Sequence, residues 1–472
     1  MKRSLGIACA AAVAGCMQRS AFVPPPAPAA LVQARSVAEP SPSGEPLAVT
    51  DAVHLAIARN PDVRAAADRI AQARAMLDGT TGAFLPRVAA EVSYLHGDAP
   101  SAFLFKRIDA RRLPPQVDFN DPGTFNNVEG GVGLQWNLWN GGRDVLARWS
   151  ADTSVQSAAL AREATVNALV MGVVDAFLGV RAADELVAAD DASVRTVEAQ
   201  VEESRVKVEG GGALRSDLLS LEVRLAEARE QRFRSDTVGR LARAALRELL
   251  ALPPDAPIRL AESTYAAAAL PETPAEALAE AYRLRPEAAI TRRTVERARL
   301  DLAAANRAYL PRLDLLSRFY ADNPNLFHYS QKDPNYTVAV ALSVDLFDGG
   351  TRAAAIERAS AVVDELTEAD RKSLLAIAHE VEVAYLHLGE ARARLQVAGQ
   401  AVGSAEESLR LVAVQYRGGG ATVTRYLEAE GAQARARTTR IQAALDVDRA
   451  TVEAQRAIGS LLGSVASESA EG

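Results

Sequence analysis

His379-Glu380 opens the one string in the chain that approaches a metallopeptidase signature. That signature needs two histidines four residues apart on one helix face, with a glutamate beside the first as general base. Val383 occupies the second histidine position, and the next histidine, His387, lies eight residues from His379. No zinc-binding face forms. The two cysteines, Cys9 and Cys16, both fall near the N-terminus, so the rest of the chain offers neither a disulfide nor a thiolate ligand. The glycine triplets at 210–212 and 418–420 are not followed by the Gly-Lys-Ser/Thr of a phosphate loop, and no dinucleotide fingerprint or nucleophile elbow occurs. No catalytic residue, metal or cofactor is expected. The arginines from Arg283 to Arg299 read as a solvated or inter-helix face. A formal charge of −7 gives no electrostatic basis for nucleic acid binding.

The chain is 49% hydrophobic but only 5% aromatic, and rich in alanine. Such a composition favours long helices over a compact mixed core. Basic Met1-Lys2-Arg3 and the short apolar "SLGIACAAAVAG" have the form of an export signal. The apolar stretch ends in "VAGC", similar to a lipobox, which predicts a signal peptide over 1–15 and a lipid anchor at Cys16. An ordinary signal peptide cut elsewhere is the alternative. No other run of 18 apolar residues is evident, which predicts no helical membrane span. A membrane β-barrel stays open, because its strands carry only alternating signals.

Proline positions show how the rest is organised. "AIARNPDVRAA" and "AYRLRPEAAIT" match with Pro61 against Pro286, an offset of 286 − 61 = 225. "GAFLPR" and "RAYLPR" match with Pro86 against Pro311, again 311 − 86 = 225. Further on, "NLWNGGRD" matches "DLFDGGTR", with Gly141 against Gly349, and "EGGGALRSD" matches "RGGGATVTR", with Gly210 against Gly418. Both later offsets are 208, since 349 − 141 = 418 − 210 = 208. The first copy therefore holds 225 − 208 = 17 extra residues between Tyr94 and Val132, expected to form a polar, Pro-containing loop. Each copy reads helix, strand, loop, strand, very long helix, Gly-rich turn, helix.

Val132, Leu134, Trp136 and Leu138 alternate against Gly133, Gln135 and Asn137. Val338, Val340, Leu342, Val344 and Leu346 alternate against Ala339, Ala341, Ser343 and Asp345. Period two with one apolar face predicts strands, packed either on lipid or on a soluble core. Trp139 and Phe347 at the strand ends favour lipid. Arg143–Val208 and Thr351–Tyr416 contain no proline. At ~1.5 Å per residue each predicts a helix of ~100 Å, far too long for a compact domain, which must lie along a neighbour. Gly141-Gly142 and Gly349-Gly350 turn strand into helix. A four-strand sheet with open edges is not tolerated in lipid, so closure with other copies is expected.

This pattern resembles the TolC-type outer-membrane efflux and secretion channels over most of residues 47–463. The resemblance rests on the doubled "A(F/Y)LPR", the doubled "NGG/DGG" and the doubled tip turn. It implies a membrane β-barrel plus an α-helical coiled-coil barrel, each protomer a duplicated half with four strands and long helices, and a trimeric twelve-strand barrel. It further implies an exit duct of a tripartite efflux or type I secretion system in the outer membrane, with its helical tunnel in the periplasm. The implied partners are a homotrimer, a periplasmic adaptor, an inner-membrane pump of RND or ABC type, and outer-membrane lipid. At the tip, Tyr416 and Gly419 match the family pattern of an aromatic, a glycine and an acid six positions on, but Arg425 replaces the acid and Glu428 follows it. In the first copy Gly211 and Asp217 match, while Val208 replaces the aromatic. Asp217–Arg425 pairs between neighbouring hairpins are the implied closure; solvated helix-start residues without a gating role are the alternative. Asn137 and Asp345 are expected on lumen-facing strands.

The expected organisation is a signal peptide (1–15), anchor and Pro-rich tether (16–46), first repeat (47–251), Pro-rich linker (252–274), second repeat (275–463) and disordered tail (464–472). The rival function is a lipid-anchored periplasmic coiled-coil scaffold with a soluble sheet. Substrate class, whether drug, metal or protein, is not written in the residues.

Overall fold

The computed structural model describes residues 46–261, 269–324 and 334–461. The signal peptide, Cys16, nearly all of the tether, part of the linker and the C-terminal tail lie outside the described residues. Helices α1 (Val49–Arg59) and α2 (Pro61–Thr81) lead into β1 (Arg87–Gly97), a short helix α3 (Pro100–Asp109) and β2 (Phe125–Trp139). The long α4 (Arg143–Glu209) and its return helix α5 (Arg215–Leu249) complete the first copy. The second copy runs α6 (Pro274–Leu284), α7 (Pro286–Asn306), β3 (Arg312–Asn323), β4 (Pro334–Ser343), α8 (Thr351–Arg417) and α9 (Val423–Ile458). Corresponding starts keep the sequence offsets: Pro61 and Pro286, Arg87 and Arg312 differ by 225, while Arg143 and Thr351, Arg215 and Val423 differ by 208.

Local chemistry sets these boundaries. Pro61 and Pro286 sit in the first turn of α2 and α7, where a missing N–H costs nothing. Asn60 caps α2 by accepting from the Asp62 N–H at 2.8 Å, and its Nδ2 donates to the Leu249 carbonyl at 3.3 Å, tying α2 to the end of α5. Thr273 and Glu276 form a capping box at α6. Helices α4 and α8 each run 67 residues, about 100 Å.

Helix α4 packs along α5 and α8 along α9, and α9 also lies against α4, so the two hairpins share one side-by-side bundle. One 18-residue window of α4 reaches a mean hydropathy of 1.6, which corrects the expectation that no stretch is apolar enough to cross a bilayer. That stretch is core: Val170, Val173, Val174 and Phe177 are fully buried where α4 meets α1, α2 and α7.

The sheet is antiparallel in the order β1-β2-β3-β4. Its register puts Arg87, Glu91, Glu129, Gln135, Asn137, Asp314, Arg318, Asp322 and Thr337 on one face. The other face carries Val88, Val92, Val132, Phe319, Val338, Val340 and Leu342, all largely exposed in one chain. Strands β1 and β4 are the edges, and both are exposed almost throughout.

Two expectations are corrected. The insertion is not simply a loop, because α3 occupies Pro100–Asp109 and β2 already begins at Phe125. Pro100 starts that helix and Phe103 anchors it, a short apolar signal easily read as irregular chain. Strand β4 also ends at Ser343, so Val344, Asp345 and Leu346 lie beyond it, and Asp345 is no strand residue. The repeat supplies the reason. Ser343 against Arg312 corresponds to Gln135 against Arg87, where the preceding strand stops pairing. In β2 the residues beyond, Trp136 to Trp139, are held by the following strand β3. Strand β4 has no following strand among the described residues, and the Asp345 carbonyl instead accepts from Arg352 Nη2 at 2.7 Å.

Candidate functional site: the hairpin tips and the strand-to-helix turns

Both hairpin turns are built alike. The Gly210, Gly211 and Gly212 N–H groups donate to the Val206, Val208 and Lys207 carbonyls at 3.1, 3.1 and 2.7 Å. Gly418, Gly419 and Gly420 repeat this on Val414, Tyr416 and Gln415 at 3.1, 3.1 and 2.8 Å. Gly211 and Gly419 hold φ of 75° and 76°, the left-handed conformation that ends a helix. Asp217 and Arg425 then occupy the same third position of α5 and α9. The helix dipole favours Asp217 there and opposes Arg425. The Arg425 N–H donates to the Thr422 hydroxyl at 3.3 Å, so Thr422 caps α9. Arg425 and Glu428 are exposed and Asp217 half-buried, and the single chain does not join Asp217 to Arg425.

Just above the turns the two hairpins share a small core. Leu221 of α5, Val423 of α9 and Val197 and Val201 of α4 bury together, with Tyr416 of α8 against them. Tyr416 stacks on Tyr426 with ring centres 5.3 Å apart, and Lys207 Nζ lies 5.9 Å from the Tyr416 ring. Burial, with the Glu430 carboxylate nearby, pushes the Tyr426 phenol up to about 12.

The next polar layer escaped sequence reading. Glu430 of α9 is 2% exposed. It accepts from Arg224 Nε of α5 at 2.7 Å and from Ser193 Oγ of α4 at 2.8 Å. One buried carboxylate thus fastens the second hairpin to both helices of the first. Among the described residues, Arg224–Glu430 is the ion pair that joins the hairpins nearest the turns. A signal was present: Val423, Tyr426 and Glu430 follow i, i+3, i+7 spacing, which puts a carboxylate on an apolar stripe.

At the other end of the long helices the diglycines turn strand into helix. Gly141, Gly142, Gly349 and Gly350 all have positive φ, from 67° to 87°. The Asp348 carboxylate accepts from the Gly350 and Arg352 N–H groups at 3.1 and 2.9 Å, from Thr351 Oγ1 at 2.8 Å and from Arg352 Nε at 2.8 Å. The Thr351 hydroxyl and then those backbone and guanidinium donors hold its carboxyl well below the usual carboxylate range. A depressed pKa means that the stability Asp348 contributes is complete above the unfolded value of about 4. It is lost only as pH falls through the lower folded value. Asp348→Ala is expected to lower the thermal midpoint at pH 7, Asp348→Asn by less, and both differences should shrink on strong acidification. Circular dichroism melts over that pH range check this. In the first copy Asn140 takes the same place and accepts from the Asp144 N–H at 3.4 Å. Asn137 lies on the polar face and donates to Asp314 Oδ1 at 2.8 Å.

The sequence profile of the outer membrane efflux protein family matches residues 52–252 and 276–460, once per repeat. The chain belongs to that family. It is 26% identical over 417 residues to the pyoverdine export outer membrane protein OpmQ of Pseudomonas putida, covering 85% of this chain and 84% of that one. It is 27% identical over 334 residues to the alkaline protease secretion protein AprF of Pseudomonas aeruginosa, covering 66% and 64%. In fold it matches a crystal structure of a membrane protein from Pseudomonas aeruginosa with a TM-score of 0.77 at 21% identity, over 87% of this chain and 93% of that one. This outer membrane efflux protein is therefore a channel component of the outer membrane, with its helices in the periplasm, and its family is one of channels and not of enzymes. Membership sets aside the lipid-anchored periplasmic scaffold with a soluble sheet.

Proposed function

We propose that three copies of the chain close into one twelve-strand barrel above a helical tunnel, a passive outer-membrane exit duct. The observation that carries this is the unfinished edge. Strand β4 stops where only a following strand could pair it, and beyond it Leu346 and Phe347 are 91% and 89% exposed. The free edge of β1 in the next copy is the complementary strand, because lipid leaves no other partner for backbone N–H and C=O groups. Helix α8 also keeps one apolar face uncovered in the single chain. Leu375, Leu386 and Val397 of α8 are each about two-thirds exposed at 11-residue spacing. A strict 11-residue apolar repeat stays on one side of a nearly straight helix and asks for a long parallel contact.

Substrate enters at the hairpin tips and leaves through the barrel; a periplasmic adaptor grips the tips, and an inner-membrane pump of RND or ABC type supplies the energy. The Ser193–Arg224–Glu430 clamp holds each pair of hairpins together in the resting state. Asp217 and Arg425 pair across neighbouring copies as a weaker outer contact, worth ~0–1 kcal/mol when exposed. OpmQ is named for pyoverdine export and AprF for alkaline protease secretion, so the reading takes passage across the outer membrane as the shared activity and leaves cargo to the partner pump.

The test is purification in detergent, with mass by light scattering and conductance in planar bilayers. A species of three chains with a small resting conductance is expected. A single-chain protein that stays in water without detergent would overturn the reading.

A further inference from the structure

Helix α3 lies in the extra length between β1 and β2, and among the described residues it has no counterpart in the second repeat. Its attachment to the sheet is built and buried. Phe103 packs edge-on against Phe125 of β2, with centroids 5.5 Å apart at 77°. The Lys106 ammonium reaches Glu129 of β2 and, at 3.1 Å, Asp322 of β3. Asp322 is fully buried and also accepts from Asn127 Nδ2 at 2.6 Å. At the end of α3 the Asp109 carboxylate accepts from the Tyr320 hydroxyl at 3.1 Å, and its carbonyl from Asn335 Nδ2 of β4 at 3.0 Å. Three strands therefore hold one ten-residue helix.

The side on which it is held decides what it does. Glu129, Tyr320, Asp322 and Asn335 share a face in the strand register, and it is the polar one that carries Gln135, Asn137 and Asp314. A helix anchored there stands inside a barrel whose apolar face meets lipid. The anchors lie at the end of the strands remote from the diglycine turns and the periplasmic helices, hence at the extracellular end. The stripe of α3 turned away from the sheet is Ser101, Phe105 and Ile108, spaced four and three, with Phe105 65% and Ile108 47% exposed.

We propose that α3 is a fixed collar in the extracellular mouth of the duct, and that Phe105 and Ile108 are the side chains past which cargo leaves. This rests on the duct reading above. Three copies would set an apolar ring across an otherwise polar lumen. An apolar constriction of that kind sheds water when narrow and so favours slender or apolar cargo over bulky charged solutes. Because Lys106 is engaged by two carboxylates, the collar is a permanent sieve and not a swinging lid.

The experiment places one thiol on the collar. Phe105→Cys is made with Cys9→Ser and Cys16→Ser, in a background whose opened tip has already raised the conductance, and the trimer is reconstituted in a planar bilayer. A bulky, charged methanethiosulfonate reagent is added from the extracellular side. Modification is expected to cut the current about two-fold or more, reversibly with dithiothreitol. Val340→Cys, on the apolar face turned to lipid, should stay unlabelled by the charged reagent and leave the current unchanged. An unreactive Cys at 105, or one labelled to completion by mass spectrometry with unchanged current, overturns the collar. Absence of any current before modification would instead overturn the duct, so the two failures are distinct.

Discussion

Arg224→Ala should leave the channel open at rest, with a single-channel conductance well above the parent's. The reason is the asymmetry of a buried ion pair. Glu430 has 3% of its side chain exposed and receives its charged partner from another hairpin. Removing the guanidinium strands a buried carboxylate whose remaining side-chain hydrogen bond is from the Ser193 hydroxyl. Breaking such a pair from one side costs ~3–5 kcal/mol. The tip can escape that cost by swinging the second hairpin away and wetting Glu430. A bias of ~3 kcal/mol moves a two-state equilibrium by roughly 100-fold, because each 1.4 kcal/mol is tenfold. Glu430→Ala should open the tip less, since the Arg224 side chain is 20% exposed and keeps Glu227 at 3.4 Å. Arg229→Ala breaks only the exposed Arg229–Glu198 pair within the first hairpin and should leave conductance near the parent's. Bilayer recordings of the three variants check the order. Parent-like conductance in both Arg224→Ala and Glu430→Ala would remove the clamp from the gating account.

The architecture was legible because its signals are local and written twice. Pro61 and Pro286 start helices, Pro86 and Pro311 stop them, and the diglycines and triglycines mark turns at constant offsets. A hydrophobic period does not need a partner chain to be read. Three features did. Val344 to Leu346 carry strand periodicity, yet β4 ends at Ser343, because no strand among the described residues pairs beyond it. Helix α3 depends on a lysine finding two carboxylates from strands β2 and β3, at 129 and 322, and no local pattern announces that. Glu430 lay beyond the tip motif, and its partners Arg224 and Ser193 are more than 200 residues away. Family resemblance directed attention to Asp217 and Arg425 at the turns. In the single chain these are helix-start residues, and the buried contact lies one to two turns further up.

The repeat makes the last prediction: in the closed trimer proposed above, each contact between the two copies in one chain has an equivalent contact between chains. Gly141 has φ of 74°, and a Cβ there would lie 2.9 Å from Leu310 Cβ and 3.0 Å from the Arg307 carbonyl. Its counterpart Gly349 has φ of 67° and nothing within 4 Å. Carried through the offsets, Leu310 becomes Leu85 (310 − 225) and Arg307 becomes Gly82 (307 − 225). Leu85 is 60% exposed in the chain, with its side chain free to cover a neighbour's glycine. Alanine in the left-handed region costs ~1–2 kcal/mol by itself, and overpacking against backbone adds ~1–3 kcal/mol. Gly141→Ala should therefore destabilise each chain by ~2–5 kcal/mol, seen as a lower midpoint of unfolding even in separated chains. Gly349→Ala should cost a separated chain only the backbone term of ~1–2 kcal/mol, and should add the steric term on assembly. It should lower the temperature at which the trimer falls apart on a detergent gel by more than it lowers the unfolding of the chain. If Gly349→Ala leaves trimer dissociation at the parent temperature, the copies do not continue the repeat from chain to chain, and the barrel closes by some other geometry.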